Sequence, residues 1–575
     1  MRISIKNIAS CPSKLFFIVL TILLLSLAGG YWIATVANVL LWLMGILVVL
    51  IFSGILLVKN KKGNIGANHS KYISLRQNIS VSSLLFCIGC TVLLGWFVLQ
   101  GKPLPIMDMG TSVLVTVLFS LMSIWLVWFI IDLPLLSFPI IFMGVTFMYT
   151  TSSLILYLFD GLEAFRHWSF VNIEGIRRAM PIVMLAFSSF MIGAFLSAIT
   201  NTKNSSKRVD HIIPTHIDTL RKLGIIIYFT SMVVIIFLGI SSGTFDLIFS
   251  GGYGAYGDSR RLNQTPILMS ALLQWFLPWS LLILIGTSKN RRMYVRTFLL
   301  YIPAFGIMLL TGNRTTLLTL LLLTSTANYF LDISIDWRQP IIAVALVAIL
   351  VPTMANLRSV PIKKWSGELL IKSATNQLEE GPYSGVSPIF ALAEDMSTSY
   401  QTLVGTILLV PDSEPYRYGL DYLRSLVLAI PFASILFSYL NLDFIAWSPN
   451  DWVQKSFQQH SERSGWGYLQ VAEAYLQFGV FGVIAIYAIL GWVLPSLWWR
   501  LLSEGMSSKK LVFSLITMMT LLIWTRNNSS QVVRMILWGW ILVYGSSIFL
   551  DRFADKNKLI IDKINAKSQH DQGRG

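Results

Sequence analysis

Apolar runs separated by short basic or Gly/Pro-containing turns fill most of the chain. A helix that crosses a bilayer needs about 20 mostly apolar residues, fewer where protein shields a hairpin. On that rule fourteen segments are predicted to cross: 15–30, 34–58, 79–99, 112–131, 134–157, 180–199, 223–242, 266–287, 297–312, 315–331, 340–355, 474–496, 511–525 and 531–550. The pattern breaks at 356–473, where polar and apolar pieces alternate. Within it, Gln401–Val410 and Leu426–Leu440 are apolar enough to lie along a membrane interface, with Pro411, Pro415 and Pro431 as breaks. The chain divides into helices 1–11 (1–355), the long loop (356–473), helices 12–14 (474–550) and a polar basic tail (551–575). The expected fold class is an all-α polytopic integral membrane protein with about 14 transmembrane helices and one large outer loop. Arg2, Lys6 and Lys14 ahead of the first apolar run resemble a signal peptide, but the second span that follows directly favours an uncleaved anchor.

Composition agrees: 55% of residues are hydrophobic and 13% charged, too few charges to cover several soluble globules. Placing the N-terminus in the cytoplasm and alternating sides puts 27 of the 44 Lys and Arg residues inside and 17 outside. Eight of the outer ones fall in the long loop, where the positive-inside rule does not apply. Both termini are then cytoplasmic, the long loop is periplasmic, and the expected location is a bacterial inner membrane. Treating 426–440 as a fifteenth span would move Arg500, Lys509 and Lys510 outside. The net charge of +16 is thus mainly a topology signal rather than a nucleic-acid footprint. Cys87 and Cys90 form a CxxC, but inside an apolar run they read as small packing residues.

The chain carries no Walker A sequence, no dinucleotide glycine fingerprint, no HExxH and no GxSxG. Gly251–Asp258 is glycine-rich but follows no strand and ends in no Lys-Ser/Thr. The reaction should therefore draw on its substrate or on a gradient, with no cofactor and no metal. Charges near the outer interface are the remaining candidates, because a bilayer makes them costly. Arg314 sits at the apex of two short spans in Gly312-Asn313-Arg314, Arg260 and Arg261 follow the glycine-rich loop, Arg358 follows a span directly, and Arg526 ends one. Arg534 lies a turn into the last span. Each alone is compatible with snorkelling or a structural role. Several near one face suit an anionic headgroup such as a pyrophosphate, which Arg binds bidentately. A general base needs a carboxylate or histidine in reach. Glu379, Glu380, Glu394, Asp395, Glu414, Glu462, Glu473, His167 and His460 share the outer side. Glu473 opens an apolar helix, where a favourable helix-dipole charge is the alternative to catalysis.

Ser464-Gly465-Trp466-Gly467-Tyr468 leading into Ala472-Glu473-Ala474-Tyr475-Leu476-Gln477-Phe478-Gly479 resembles a stretch of Wzy-type O-antigen and oligosaccharide repeat-unit polymerases. Gly312-Asn313-Arg314 resembles their Gly-x-Arg turn. Ala393-Glu394-Asp395, Pro411…Glu414-Pro415…Gly419…Tyr422 and Pro431 look like their outer loop, and Arg526-Asn527 like their late Arg-polar pair. The sequence departs from the pattern in having Gln477 where Asn is expected. The resemblance implies a GT-C-like membrane glycosyltransferase that joins undecaprenyl-pyrophosphate-linked repeat units without metal. A polysaccharide co-polymerase that sets chain length is the implied partner, and a flippase is a second possible one. In that scheme Arg314, Arg358, Arg260, Arg261 and Arg526 hold the pyrophosphate, and Glu473 or Glu394 activates the acceptor hydroxyl. Tyr253, Tyr256, Trp466 and Tyr468 stack on sugars. An O-antigen ligase using the same donor and a lipid-linked glycan flippase stay open as alternatives; the 115-residue scale of the outer loop and the lack of an internal repeat speak against a transporter.

Overall fold

The computed structural model describes residues 69–100, 108–165, 168, 171–201, 217–251, 266–311, 313–331, 353, 356–357, 360–375, 388–430, 433, 449–457, 467–503, 507–546 and 548. The predicted spans 15–30 and 34–58, most of 340–355 and the basic tail lie outside them, as does most of 431–448. Every described element is helical, and no strand occurs among the described residues. Each predicted span that falls on described residues coincides with a helix. Among the described residues, seven helical stretches are long and apolar enough to cross a bilayer, as a polytopic membrane protein requires.

In chain order the first helices are α1 (His69–Leu99), α2 (Met109–Ile131), α3 (Phe138–Asp160), α4 (Ile173–Asn201), α5 (Ile217–Ser241) and α6 (Thr244–Gly251). Ile267–Ala271, a π-helical turn at Leu272–Phe276 and Leu277–Gly286 follow one another with helical backbone at each junction and form α7. Then come α8 (Arg291–Leu310), α9 (Arg314–Leu331), α10 (Gly367–Ala374), α11 (Pro388–Ser397), α12 (Tyr400–Leu409), α13 (Leu420–Leu428) and α14 (Pro449–Phe457). The last three are α15 (Gln470–Ser503), α16 (Ser508–Trp524) and α17 (Ser529–Trp540). Local chemistry sets the ends. Asp108 caps α2 by accepting from the Thr111 N–H, and Asn290 caps α8 by accepting from Met293 N–H at 2.9 Å.

The centre of the bundle is α4, whose flanks are covered by α1, α2, α12 and α15. Small residues allow the closest approach: a Cβ on Gly193 would overlap the Ala488 carbonyl oxygen, and one on Gly491 the Phe190 carbonyl oxygen. Ser197 and Ser496 hydrogen-bond across the same seam at 2.8 Å. Lipid tails are as apolar as leucine, so such backbone contact and interhelical hydrogen bonding supply the association energy. Cys87 and Cys90 are unbridged and buried, with Cys87 Sγ 4.0 Å from Met191 Sδ of α4, a packing role. By contrast α5 turns Ile226, Phe229, Val233 and Phe237 outward, as a lipid-facing helix does.

The segment expected along the interface at Gln401–Val410 is α12, and it is enclosed by protein instead: residues from Tyr400 to Ile407 are all buried. Its polar side chains explain the difference. Thr402 Oγ1 accepts from the Leu469 N–H at 3.1 Å and Thr406 Oγ1 shares a 2.9 Å hydrogen bond with Tyr468, partners that only an interior position provides.

The predicted span 474–496 also takes an unexpected form. A straight helix over the 34 residues of α15 would be about 51 Å long, against a hydrocarbon core of about 30 Å. Instead the backbone leaves helical geometry at Phe478 (φ −143°, ψ 20°) and Gly479 (φ 60°, ψ −140°). Beyond the break the chain doubles back. Tyr487 Oη lies 3.4 Å from Gln470 Oε1, groups that a straight helix would hold about 25 Å apart. A Cβ on Gly482 would overlap the Ala474 carbonyl oxygen. Residues 470–477 thus form a short return arm packed against the crossing arm, 480–503. The carbonyls freed at the break are satisfied, since Leu476 accepts from Arg417 N–H at 3.0 Å and Gln477 from Tyr418 N–H at 2.8 Å.

Contacts also sort the helix ends. Phe138 at the start of α3, Phe330 near the end of α9 and Trp498 near the end of α15 share one aromatic cluster. Lys289 before α8 pairs with Asp218 at the start of α5 at 2.8 Å. At the other end Arg178, early in α4, lies 3.8 Å from Asp412 of the long loop.

Candidate functional site

The return arm of α15, the segment 412–428 and the turn between α16 and α17 converge. Glu473 is fully buried on the arm. Its Oε1 accepts from the Ser529 N–H at 3.0 Å and the Ser529 hydroxyl at 2.7 Å. Its Oε2 accepts from the same N–H at 3.0 Å and from Trp524 Nε1–H at 2.8 Å. Ser529 is the first residue of α17, so the carboxylate, itself in the first turn of α15, hydrogen-bonds to the N-terminus of α17.

From Ser529 a chain of contacts leads outward. Its hydroxyl shares a 2.8 Å hydrogen bond with Ser425, which donates at 2.6 Å to the Asp421 carbonyl oxygen. The Asp421 carboxylate accepts twice from Arg417 Nη1 at 3.1 Å and once from Gln477 Nε2 at 2.5 Å. The Arg417 guanidinium lies 5.1 Å from the centre of the Trp452 ring, and Trp452 Nε1–H donates to Glu414 Oε2 at 2.7 Å. The unexpected Gln477 has the reach to accept from the Asp421 N–H at 3.4 Å while donating to its carboxylate. This Arg417–Asp421–Gln477 clasp escaped the sequence reading. Its signal was the i, i+4 spacing of Arg417 and Asp421 at the start of a helix.

Arg526 is half-buried in the turn after α16, with its guanidinium 5.5 Å from the centre of the Tyr149 ring. It has no carboxylate partner among the described residues. Gly467, at φ 72°, lets the chain pass over it: a Cβ there would lie 2.5 Å from Arg526 Cγ. Burial holds the phenols of Tyr422 and Tyr468 well above their ordinary range, so both act as neutral groups.

Other predicted residues divide clearly. Glu394 is buried on α11, which packs along α3, the helix that carries Tyr149. Arg314 opens α9 directly after the tight turn in which Asn313 N–H donates to Met308 O at 2.8 Å; its side chain is outside the description. Arg260, Arg261, Arg358, Tyr253, Tyr256 and Trp466 also lie outside the described residues. Tyr468 is not open to a sugar: it is buried, with its hydroxyl bonded to Thr406. Arg534 serves α13, donating from Nε to the Leu428 carbonyl at 3.2 Å beside Trp538, which donates to the Ala429 carbonyl at 3.2 Å. Cations at a helix C-terminus are stabilising, which accounts for Arg534 structurally.

A family model described as O-antigen polysaccharide polymerase Wzy matches residues 97–557. The chain belongs to this family. The match takes in α2 to α17, so the return arm, the clasp and Arg526 all lie within the Wzy region. No curated protein and no solved structure matches the chain. Wzy membership supports an enzyme of the glycosyltransferase type that polymerises O-antigen repeat units from lipid-linked oligosaccharides.

Proposed function

We propose that this Wzy-family protein joins undecaprenyl-pyrophosphate-linked oligosaccharide repeat units into O-antigen or a related surface polysaccharide, on the outer face of the inner membrane. Both termini then face the cytoplasm and 356–473 is periplasmic. The observation that carries the reading is Arg526: a half-buried guanidinium, stacked on Tyr149 and lacking an ion pair among the described residues, within the family-matched region. A guanidinium with no counter-charge among the described residues is suited to an anion, and a pyrophosphate offers bidentate oxygens.

In the reaction, a hydroxyl of the acceptor repeat unit attacks the anomeric carbon of the donor glycan. The bond from that carbon to the pyrophosphate oxygen breaks, and undecaprenyl pyrophosphate departs with the electron pair. The hydroxyl proton passes to a carboxylate, for which Glu394 is the candidate. Arg526, with Arg314, Arg358, Arg260 and Arg261, balances the charge on the leaving group. Pyrophosphate is a good leaving group, so no ATP is needed. Tyr253, Tyr256 and Trp466 are the sugar-stacking candidates, and a polysaccharide co-polymerase is the expected partner.

Gene deletion tests the reading through the surface polysaccharide separated on a gel. A polymerase null leaves single repeat units attached to the core. Unattached lipid-linked polymer identifies a ligase, loss of both identifies a flippase, and persistence of long ladders overturns polymerisation.

A further inference from the structure

Glu473 sits where sequence reasoning places a base, yet its surroundings give it a different task. A base must come within about 2.6–3.2 Å of the hydroxyl it deprotonates. A carboxylate has about four lone-pair directions. In Glu473 they are occupied by the Ser529 N–H, reaching both oxygens, the Ser529 hydroxyl and the Trp524 indole. The side chain is fully buried, so none faces an open space.

The identity of the donors is informative. Trp524 and Ser529 bracket the turn 525–528, and Arg526 is inside it. The arm and the residues leading into it grip this turn at two other points: Gln470 N–H donates to the Thr525 carbonyl at 3.4 Å, and Gly467, just before the arm, lies flat on the Arg526 side chain. A buried carboxylate is expensive in a membrane protein. An ionised carboxylate is acceptor-only, and three donor groups point at this site; a glutamine would turn an NH2 toward one of them. Acceptor positions on both oxygens, which a carboxyl group offers and an amide does not, are therefore what the turn uses.

We propose that Glu473 is a positioning residue, which fixes the guanidinium of Arg526 for the lipid-linked pyrophosphate by clamping both ends of its turn, and is not the base. The proposal rests on the reading that Arg526 holds pyrophosphate.

The test measures binding of undecaprenyl pyrophosphate to the full-length protein in nanodiscs, together with the pH profile of polymer formation. Glu473→Gln weakens binding about tenfold, as Arg526→Ala does, and the double variant binds no more weakly than Arg526→Ala alone. Residual turnover of Glu473→Gln keeps the wild-type pH profile. Trp524→Phe and Ser529→Ala weaken binding in the same direction by less, and they decide the matter if Glu473→Gln does not fold. Wild-type affinity in Glu473→Gln, with turnover lost and one limb of the pH profile gone, assigns the base role and overturns the proposal while leaving polymerisation intact. Unchanged affinity in both Trp524→Phe and Ser529→Ala also overturns it. Failure of the wild-type protein to bind the lipid removes the pyrophosphate reading itself.

Discussion

Gly479 and Asp421 show what single positions contribute. Gly479 holds φ 60° and ψ −140°, and a Cβ there would meet the Tyr416 hydroxyl at 2.9 Å. A side chain in that backbone region costs about 1–3 kcal/mol before any clash. Gly479→Ala should therefore lower the melting temperature of the detergent-solubilised protein and abolish polymer ladders; ladders of wild-type length and amount would show that the reversal tolerates a Cβ. Asp421 is nearly buried beside Arg417. Removing one partner of a buried pair strands the other, at about 3 kcal/mol. Arg417→Ala and Asp421→Ala should each destabilise the protein, and the double variant should be less destabilised than their sum; strict additivity would mean that the clasp is not energetically coupled. Residue chemistry was partly legible in the sequence. Arg526 and Glu473 stood out because charge beside apolar runs is costly. The clasp did not, because its worth depends on Gln477, 56 residues from Asp421, which only the fold brings near.

Helices were legible where hydropathy decides them, as in α2 or α5. Hydropathy failed where tertiary contacts override it. α12 looked interfacial because it is only moderately apolar, yet its hydroxyls are spent on Leu469 and Tyr468 inside the bundle. The return arm was unreadable because an apolar run of the right length gives no sign of folding back except its glycines. The seam between α4 and α15 depends on contacts of the same kind. Gly193→Leu would force the two backbones apart, since even a Cβ overlaps Ala488. The expected outcome is a sharp loss of folded protein by size-exclusion chromatography, while Gly144→Leu, at a position with open space for a Cβ, should elute as the wild type does.

For the whole molecule, charge counting predicts sidedness and the contacts supply matched groups of helix ends. If 356–473 is periplasmic, Asp412→Cys should react with a membrane-impermeant maleimide in intact spheroplasts, and Lys289→Cys only after lysis; both native positions are exposed. Reversed labelling would invert the topology and place the arginines on the wrong side for an outer-face polymer. The return arm has a further consequence, for the order in which the molecule is made. Residues 470–477 leave the ribosome about 50 residues before Trp524 and Ser529, the groups that seat Glu473. Until then the carboxylate has no donors from its final setting, and the arm has no turn to grip. Assembly of this region therefore waits for the last two helices, and a nascent chain stopped short of them carries the sequence signature without the site.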